Sequence, residues 1–123
     1  MNREICERRE SKRYSGVPLK LYLKRDNEFH SVELMDISIG GFLSNTVMPF
    51  DIYDGYEAKI KFPNDDVVDV IHAHAVVWRI EANKAEIMMK KRYVAFKFTK
   101  ISDVDKHVID EFLKRFQPNV PYK

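Results

Sequence analysis

The alternation of apolar and polar side chains in the first half of the chain is the feature that most constrains its fold. Apolar residues occupy every second position from Val17 to Leu23. A period of two is typical of a strand with one buried face. A polar turn at residues 25–28 leads into a second predicted strand at 29–37, and residues 56–62 alternate again. These segments predict an antiparallel sheet.

The second half of the chain predicts two more strands, at residues 67–80 and 93–98, and then a helix. We interpret residues 81–92 as a flexible hairpin extension. Ser102, followed three residues later by Asp105, is typical of a helix start. Apolar residues then recur at the intervals of three and four that mark an amphipathic helix: Val104, Val108, Ile109, Phe112, Leu113 and Phe116. Together these elements predict a closed or nearly closed barrel with one helix covering an opening.

Length and composition fit one globular domain. The chain has 123 residues, of which 45% are hydrophobic and 33% charged, so it can bury a single core. Cys6 is the only cysteine, which excludes an internal disulfide and favours a reducing compartment. The charged N-terminus lacks the apolar stretch of a secretory signal, and no apolar run approaches the ~20 residues of a membrane span. We therefore expect a cytoplasmic protein with a flexible arm at residues 1–16, a barrel and helix at 17–116, and a tail at 117–123.

The positive charge of the sequence is concentrated near its N-terminus. The net charge is only +2, but residues 1–25 hold eight basic and three acidic side chains, a net charge of +5. A basic arm on a nearly neutral body favours a local anion site and argues against a long nucleic-acid track.

Two polar clusters stand out against the apolar scaffold, at residues 8–13 and at residues 36–41. The predicted hairpin between them brings them together. If its turn is centred between Asp26 and Asn27, Arg13 lies opposite a position near residue 40. The two clusters are therefore expected at the same end of the barrel.

The residue types in these clusters are suited to guanine beside phosphate. An arginine fork pairs with phosphate oxygens or with guanine O6 and N7, and an ionised Asp36 accepts hydrogen bonds from guanine N1–H and N2–H. Ser38 adds a hydroxyl, and Gly40 and Gly41 let the backbone approach a ligand. No His or Cys lies near Ser38 in the sequence and no P-loop is present. We therefore expect a binding protein rather than an enzyme.

The two clusters resemble the motifs of the PilZ domain family, the bacterial receptors for cyclic di-GMP. Arg9 and Arg13 match the RxxxR motif, and Asp36, Ser38 and Gly41 match the (D/N)xSxxG motif. The resemblance implies a mainly β fold, an antiparallel six-stranded, split β-barrel with a C-terminal α-helix. It also implies that the two arginines grip phosphates and guanine edges, that Asp36 and Ser38 hold a guanine base, and that Gly41 keeps the shape of the loop.

Three further residues gain an interpretation from the same resemblance. Arg8 stands where an additional arginine tends to accompany binding of an intercalated ligand dimer. Trp78 resembles an aromatic residue that packs near the ligand in some members. Ala95 departs from the family pattern, because a glycine is frequent at its position, and this puts local packing rather than ligand binding in question.

Each of these features also has a simpler interpretation. The arginines of residues 8–13 can form a solvated basic tail, and residues 36–41 can form an ordinary turn. Trp78 is more often a core residue than a ligand platform. His72 and His74 alternate on one strand face, but no third metal ligand is evident, so we expect no metal site.

The sequence predicts a cyclic di-GMP receptor and adaptor. Its ligand is expected to order residues 1–16 over the barrel and to change a surface that engages a downstream protein partner. Two alternatives remain open. The first is a small barrel that binds single-stranded nucleic acid, which the charge distribution argues against. The second is a degenerate family member that binds no ligand and acts only in protein interactions.

Overall fold

Seven β-strands, one 3-10 helix and one α-helix form the regular structure of the described residues. The computed structural model describes residues 12–63 and 70–116, apart from the side chains of residues 86 and 87. In chain order the elements are β1 (Tyr14–Ser15), β2 (Lys20–Arg25), β3 (Glu28–Ser38), β4 (Gly41–Thr46), β5 (Gly55–Lys61), β6 (Val70–Ala82), the 3-10 helix (Lys84–Met89), β7 (Arg92–Lys100) and α1 (Asp103–Phe116).

Six of these strands close a barrel. Their antiparallel order is β3-β2-β5-β6-β7-β4, and the pairing of β4 with β3 joins the two ends. β1 is an additional short strand that pairs with β3 beyond the end of β2. The architecture confirms the predicted mainly β fold with a six-stranded barrel and a C-terminal helix.

The hairpin between β2 and β3 has the predicted register. Asp26 and Asn27 have φ angles of 56° and 67°, the left-handed conformation of a two-residue type I′ turn. Leu21 pairs with Val32 and Arg25 with Glu28, as expected for a turn centred between Asp26 and Asn27. The strand begins later than predicted, at Lys20 rather than Val17.

A break in the chain separates β1 from β2. Gly16 has a φ of +70°, which L side chains rarely adopt, and Pro18 has no N–H to donate to a strand partner. The chain therefore leaves β3 after Ser15, and its pairing with β3 resumes at Leu21. Leu19 is nevertheless buried in the core, which is why the apolar alternation extends beyond the strand.

The core lies inside the barrel and under α1. Alternate residues of the strands point inward, and Ser102 Oγ accepts a hydrogen bond from the Asp105 N–H at 3.0 Å, as expected for a helix N-cap. With 14 residues, α1 is not long and apolar enough to cross a membrane, and nor is any other helix in the described ranges. The fully buried large side chains include Leu21, Leu23, Ile37, Phe42, Ile60, Ile71, Val77, Val94, Ile109 and Leu113.

The predicted apolar face of the helix is correct in the middle of the helix and wrong at both ends, where Val104 and Phe116 are exposed. Ile109, Phe112 and Leu113 are buried, and Phe112 packs edge-on against Phe62 with ring centroids 5.2 Å apart. Val104, however, is 71% exposed. At about 100° per residue, Val104 lies about 140° from Ile109 around the helix axis. An interval of five residues therefore moves it off the buried face.

The connection between β6 and β7 differs from the flexible extension that we expected. β6 continues to Ala82, a 3-10 helix follows, and β7 starts at Arg92. Asn83 is buried at the junction, where its Oδ1 accepts the Ala85 N–H and its Nδ2 donates to Asn45 Oδ1, each at 3.1 Å. These hydrogen bonds hold the start of the connection against β4.

Gly41 marks the closest approach between β4 and β7. A Cβ atom built at Gly41 would overlap the carbonyl oxygen of Phe96 and lie 3.0 Å from Lys97 Cα. Both are backbone atoms, so no side-chain rotation relieves the contact. The pairing of β4 with β7 therefore requires glycine at this position.

We expect Ile109→Ala to lower the free energy of unfolding by about 2–5 kcal/mol, because it leaves a cavity under α1. Val104→Ala, on the exposed side of the same helix, should change it by less than about 0.5 kcal/mol. Urea denaturation followed by circular dichroism measures both. Equal losses in the two variants would contradict the assignment of the buried helix face.

We expect Gly41→Ala to lower the free energy of unfolding by about 3 kcal/mol, the upper end of the usual cost of overpacking. Gly55→Ala is the matched control, since a Cβ there meets only the Ala75 carbonyl oxygen at an ordinary 3.8 Å. Its unfolding midpoint should be unchanged or slightly higher. A wild-type midpoint for Gly41→Ala would show that β4 does not depend on the close approach.

Candidate functional site

The candidate site lies on the outer wall of the barrel, where β3, β4 and β7 run side by side. Asp36 pairs with Leu43, which pairs with Ala95. One step along the same face, Ser38 pairs with Gly41, and Gly41 pairs with Lys97. The residues between these positions, Ile37, Phe42 and Phe96, are buried in the core. Because side chains alternate along a strand, the two rows belong to the outer face.

Arg13 and Asp36 form a direct contact across this face. Arg13 Nη1 lies 2.8 Å from Asp36 Oδ1, where it donates a charge-assisted hydrogen bond. β1 positions the arginine, because Tyr14 pairs with Ile37 and Ser15 with Asp36. The contact confirms that the second arginine of the first cluster and the aspartate of the second lie at the same end of the barrel.

The register of Arg13 differs slightly from the prediction. Continuing the β1 pairing by one residue places Arg13 opposite position 38 rather than near position 40. The offset arises in the break between β1 and β2, where the chain passes through Gly16 and Pro18 instead of remaining a strand. A register extrapolated along one strand holds only while that strand is continuous.

The ion pair between Arg13 and Asp36 is open to solvent. The side chains of Arg13 and Asp36 are 54% and 22% exposed. Exposed ion pairs typically contribute about 0–1 kcal/mol to stability, because water and salt screen them. The pair therefore costs little to open, and each of its members can exchange the other for a ligand group of the appropriate charge.

Ser38 and its neighbours form a tight turn between β3 and β4. Ser38 Oγ accepts the Gly40 N–H at 3.1 Å, and the Gly40 carbonyl oxygen accepts the Phe98 N–H at 2.9 Å. Ser38 itself is buried. The interpretation of residues 36–41 as an ordinary turn accounts for these contacts, but not for Asp36, whose partner is 23 residues away in the chain.

Trp78 lies on the surface rather than in the core. It is 47% exposed and falls at an irregularity of β6, between Val77, which pairs with Phe96, and Arg79, which pairs with Ala95. The Lys97 ammonium lies 3.7 Å from the centre of its ring. The core interpretation of Trp78 is therefore wrong, and the indole joins the outer face that carries Gly41 and Lys97.

Sequence reasoning missed two members of this face. Lys97 occupies an outward position of an alternating strand, but only the pairing of β7 with β4 places it beside Gly41. Tyr53 is 68% exposed, with its ring centroid 6.2 Å from that of Trp78. Its loop is held to β6 by a hydrogen bond from the Tyr53 N–H to the Val77 carbonyl oxygen at 2.8 Å.

The remaining predicted positions fall outside this cluster. Arg8 and Arg9 lie outside the described residues. His72 and His74 point outward from β6 opposite Lys59 and Glu57. No group of three potential metal ligands occurs among the residues that the structure describes. The observed face thus offers a guanidinium, a carboxylate and an ammonium group beside two aromatic rings, while the Ser38 hydroxyl is buried in the turn.

Comparison with solved structures supports the architecture. Inhibitor of motility (MotI/DgrA) from Bacillus subtilis superposes with a TM-score of 0.78 at 21% identity, covering 92% of this chain and 53% of that one. The PilZ domain of YcgR from Escherichia coli, solved with c-di-GMP, superposes with a TM-score of 0.66 at 19% identity, covering 91% of this chain and 93% of that one. At these identities the likeness establishes the fold alone.

The chain spans about half the length of MotI. No curated protein matches its sequence. The model of the PilZ domain family, in contrast, matches residues 7–115. Because that match covers nearly the whole sequence and includes both motifs, the chain belongs to the PilZ domain family.

Proposed function

We propose that the chain is a receptor for cyclic di-GMP that acts as an adaptor and performs no chemistry of its own. The observation that carries the proposal is the 2.8 Å contact between Arg13, the second arginine of the RxxxR motif, and Asp36, the aspartate of the DxSxxG motif. YcgR, whose PilZ domain has the same fold, was solved with c-di-GMP. The two motifs contain the charged groups that such a ligand needs.

The chemistry of the face matches both parts of the ligand. Arg13 pairs with phosphate oxygens or with guanine O6 and N7, and a carboxylate at Asp36 accepts the guanine N1–H and N2–H. Ligand binding exchanges the Arg13–Asp36 pair for these contacts, each of about 1.5–3 kcal/mol. Because the pair is exposed, little stability is lost when it opens.

The aromatic side of the face provides a second contact for the ligand. Trp78 presents a half-exposed ring with Lys97 over it and Tyr53 at its edge. A purine ring can stack on the indole, while the ammonium of Lys97 contacts a phosphate. Lys97 and Trp78 thus extend the site across β7 toward β6.

The N-terminal arm supplies the rest of the positive charge. β1 holds the end of the predicted arm on β3, so Arg8 and Arg9 are tethered a few residues from Arg13. We propose that ligand phosphates draw these two arginines onto the barrel. The ordered arm changes the exposed surface near β1, and this new surface engages a downstream protein partner.

We expect Asp36→Asn to weaken cyclic di-GMP binding at least tenfold, because an amide N–H₂ would face guanine donors where the carboxylate accepts. Arg9→Ala should lose a comparable amount by removing a charged fork. Asp103→Asn, an exposed change of the same kind on α1, should stay within about twofold of wild type. Isothermal titration calorimetry measures all three, with cyclic di-AMP and GTP as ligand controls.

Wild-type affinity in both site variants would overturn the assignment of the face. A folded wild-type protein that gives no heat with cyclic di-GMP would support the degenerate, partner-only alternative instead.

We expect wild-type protein to bind two ligand molecules and Arg8→Ala to bind one. The reason is that an additional guanidinium can stack on and neutralise an intercalated dimer. The same titrations give the stoichiometry directly. A ratio that is unchanged by the substitution would assign Arg8 no role in dimer binding, whatever the affinity.

A further inference from the structure

The wall of the barrel opposite the candidate site carries a second positive surface. In the ring of six strands, β5 stands opposite β4 and β2 stands opposite β7. The outer face of β2 and β5 and the adjoining part of β6 and β3 form what we call the lysine face. It consists of Lys20, Tyr22, Phe29, Lys59, Lys61 and His72.

Within residues 12–63 and 70–116, no carboxylate forms an ion pair with Lys20, Lys59 or Lys61 of the lysine face. Lys20 and Lys61 are direct cross-strand partners, and like charges in that position destabilise a sheet. Among the residues that the structure describes, the ion pair in this region joins Lys24 to Glu57 at 3.1 Å. That contact lowers the pKa of the Glu57 carboxyl. It leaves the ammonium groups of Lys20, Lys59 and Lys61 available for an external anion.

Aromatic rings lie between these cations. Lys59 Nζ is 4.6 Å from the centre of the Phe29 ring and 5.2 Å from that of Tyr22. His72 lies opposite Lys59 on β6, with its ring centroid 6.3 Å from that of Phe29. A planar base that stacks on Tyr22 replaces the cation–π contact of Lys59, and the released ammonium can bind a phosphate.

A hollow continues the lysine face toward α1. It has a volume of about 400 Å³ and is lined by His72, His74, Lys100 and the residues that begin α1, among others. Glu57 and Asp105 line it as well as Lys100, so the hollow adds no net positive charge. What it adds is enough space for one nucleotide base.

The side chains of the lysine face favour a polyanion over a lipid surface. Membrane-surface binding needs exposed apolar side chains that enter the bilayer. Within residues 12–63 and 70–116, the large hydrophobic side chains that are most exposed all lie elsewhere: Val47, Ile52, Tyr53, Trp78, Met88, Met89, Val104 and Phe116.

We propose that the lysine face binds single-stranded nucleic acid, with Lys20, Lys59 and Lys61 on phosphates and Tyr22 on a base. Single strands fit better than a duplex, because only unpaired bases expose their planes for stacking. The site is independent of the proposed cyclic di-GMP site, from which it is separated by the thickness of the barrel.

The test uses the full chain and a fluorescein-labelled oligouridylate of about 12 nucleotides, followed by anisotropy at several salt concentrations. Three phosphate contacts predict that log K falls with log salt with a slope of about −2. The double variant Lys59→Gln/Lys61→Gln should bind at least tenfold more weakly near 0.1 M salt. Its salt dependence should also be shallower, with a slope between 0 and about −1. Tyr22→Leu, which keeps an apolar side chain but removes the ring, should lose about fivefold or more.

A matched control removes the same charge elsewhere. Lys84→Gln/Lys90→Gln changes two exposed lysines of the connection between β6 and β7, and its affinity for the oligonucleotide should stay within about twofold of wild type. An equal loss in this control would reduce the binding to general charge attraction and overturn the proposal. So would the absence of binding by wild-type protein, or equal binding to a duplex of the same length.

Two further measurements separate this proposal from the function proposed above. Oligonucleotide affinity should be unchanged by Asp36→Asn and by saturating cyclic di-GMP, and cyclic di-GMP affinity should be unchanged by Lys59→Gln/Lys61→Gln. Displacement of the oligonucleotide by cyclic di-GMP would place both on one face and overturn the separate site. Binding of phosphatidylserine vesicles, but not of the oligonucleotide, would assign the lysine face to a membrane and overturn it as well.

Discussion

Closure of the barrel depends on the close approach of β4 to β7 at Gly41. A side chain at this position would overlap the Phe96 carbonyl oxygen, so glycine alone permits the pairing of β4 with β7. Without that pairing, β4 could not bridge β7 and β3 to complete the ring of six strands. The same approach places Ser38, Gly41 and Lys97 in one row across three strands. The contact that the closed fold requires therefore also builds the part of the outer face next to Asp36.

The closed barrel divides its outer wall into two chemically different faces. One face, on β3, β4 and β7, carries charges of both signs and an aromatic ring. Arg13 lies beside Asp36, and Lys97 lies over the ring of Trp78. The other, on β2 and β5, carries lysines with aromatic rings between them. The first can hold a small ligand that has both donors and acceptors, whereas the second suits an extended polyanion. A closed barrel holds the two faces apart with little change in their spacing, because every strand is paired on both sides.

Much of the fold could be predicted from the sequence because it rests on local patterns. The alternation around Leu21 and Leu23 and the Asp26–Asn27 turn fix the first hairpin and its register. Predictions failed where the outcome depended on distant neighbours. Trp78 follows the apolar residues Val76 and Val77, and only the pairing of β6 with its neighbours decides which of the three faces the core. Val104 was mispredicted for a local reason instead, because its interval of five residues from Ile109 turns it off the buried helix face.

By itself, the sequence determined the class of fold and the two motifs, because periodicity and motif spacing are properties of the chain alone. It also predicted that Arg13 and Asp36 lie at one end of the barrel, since a single hairpin connects them. Only the tertiary structure decided which residues complete the candidate site and where the lysines of β2 and β5 gather. Lys97, Trp78 and Tyr53 come from separate strands and loops, and Lys20 and Lys61 are 41 positions apart yet directly paired. The physical reason is that strand order is set by the burial of the whole core, which no local pattern encodes.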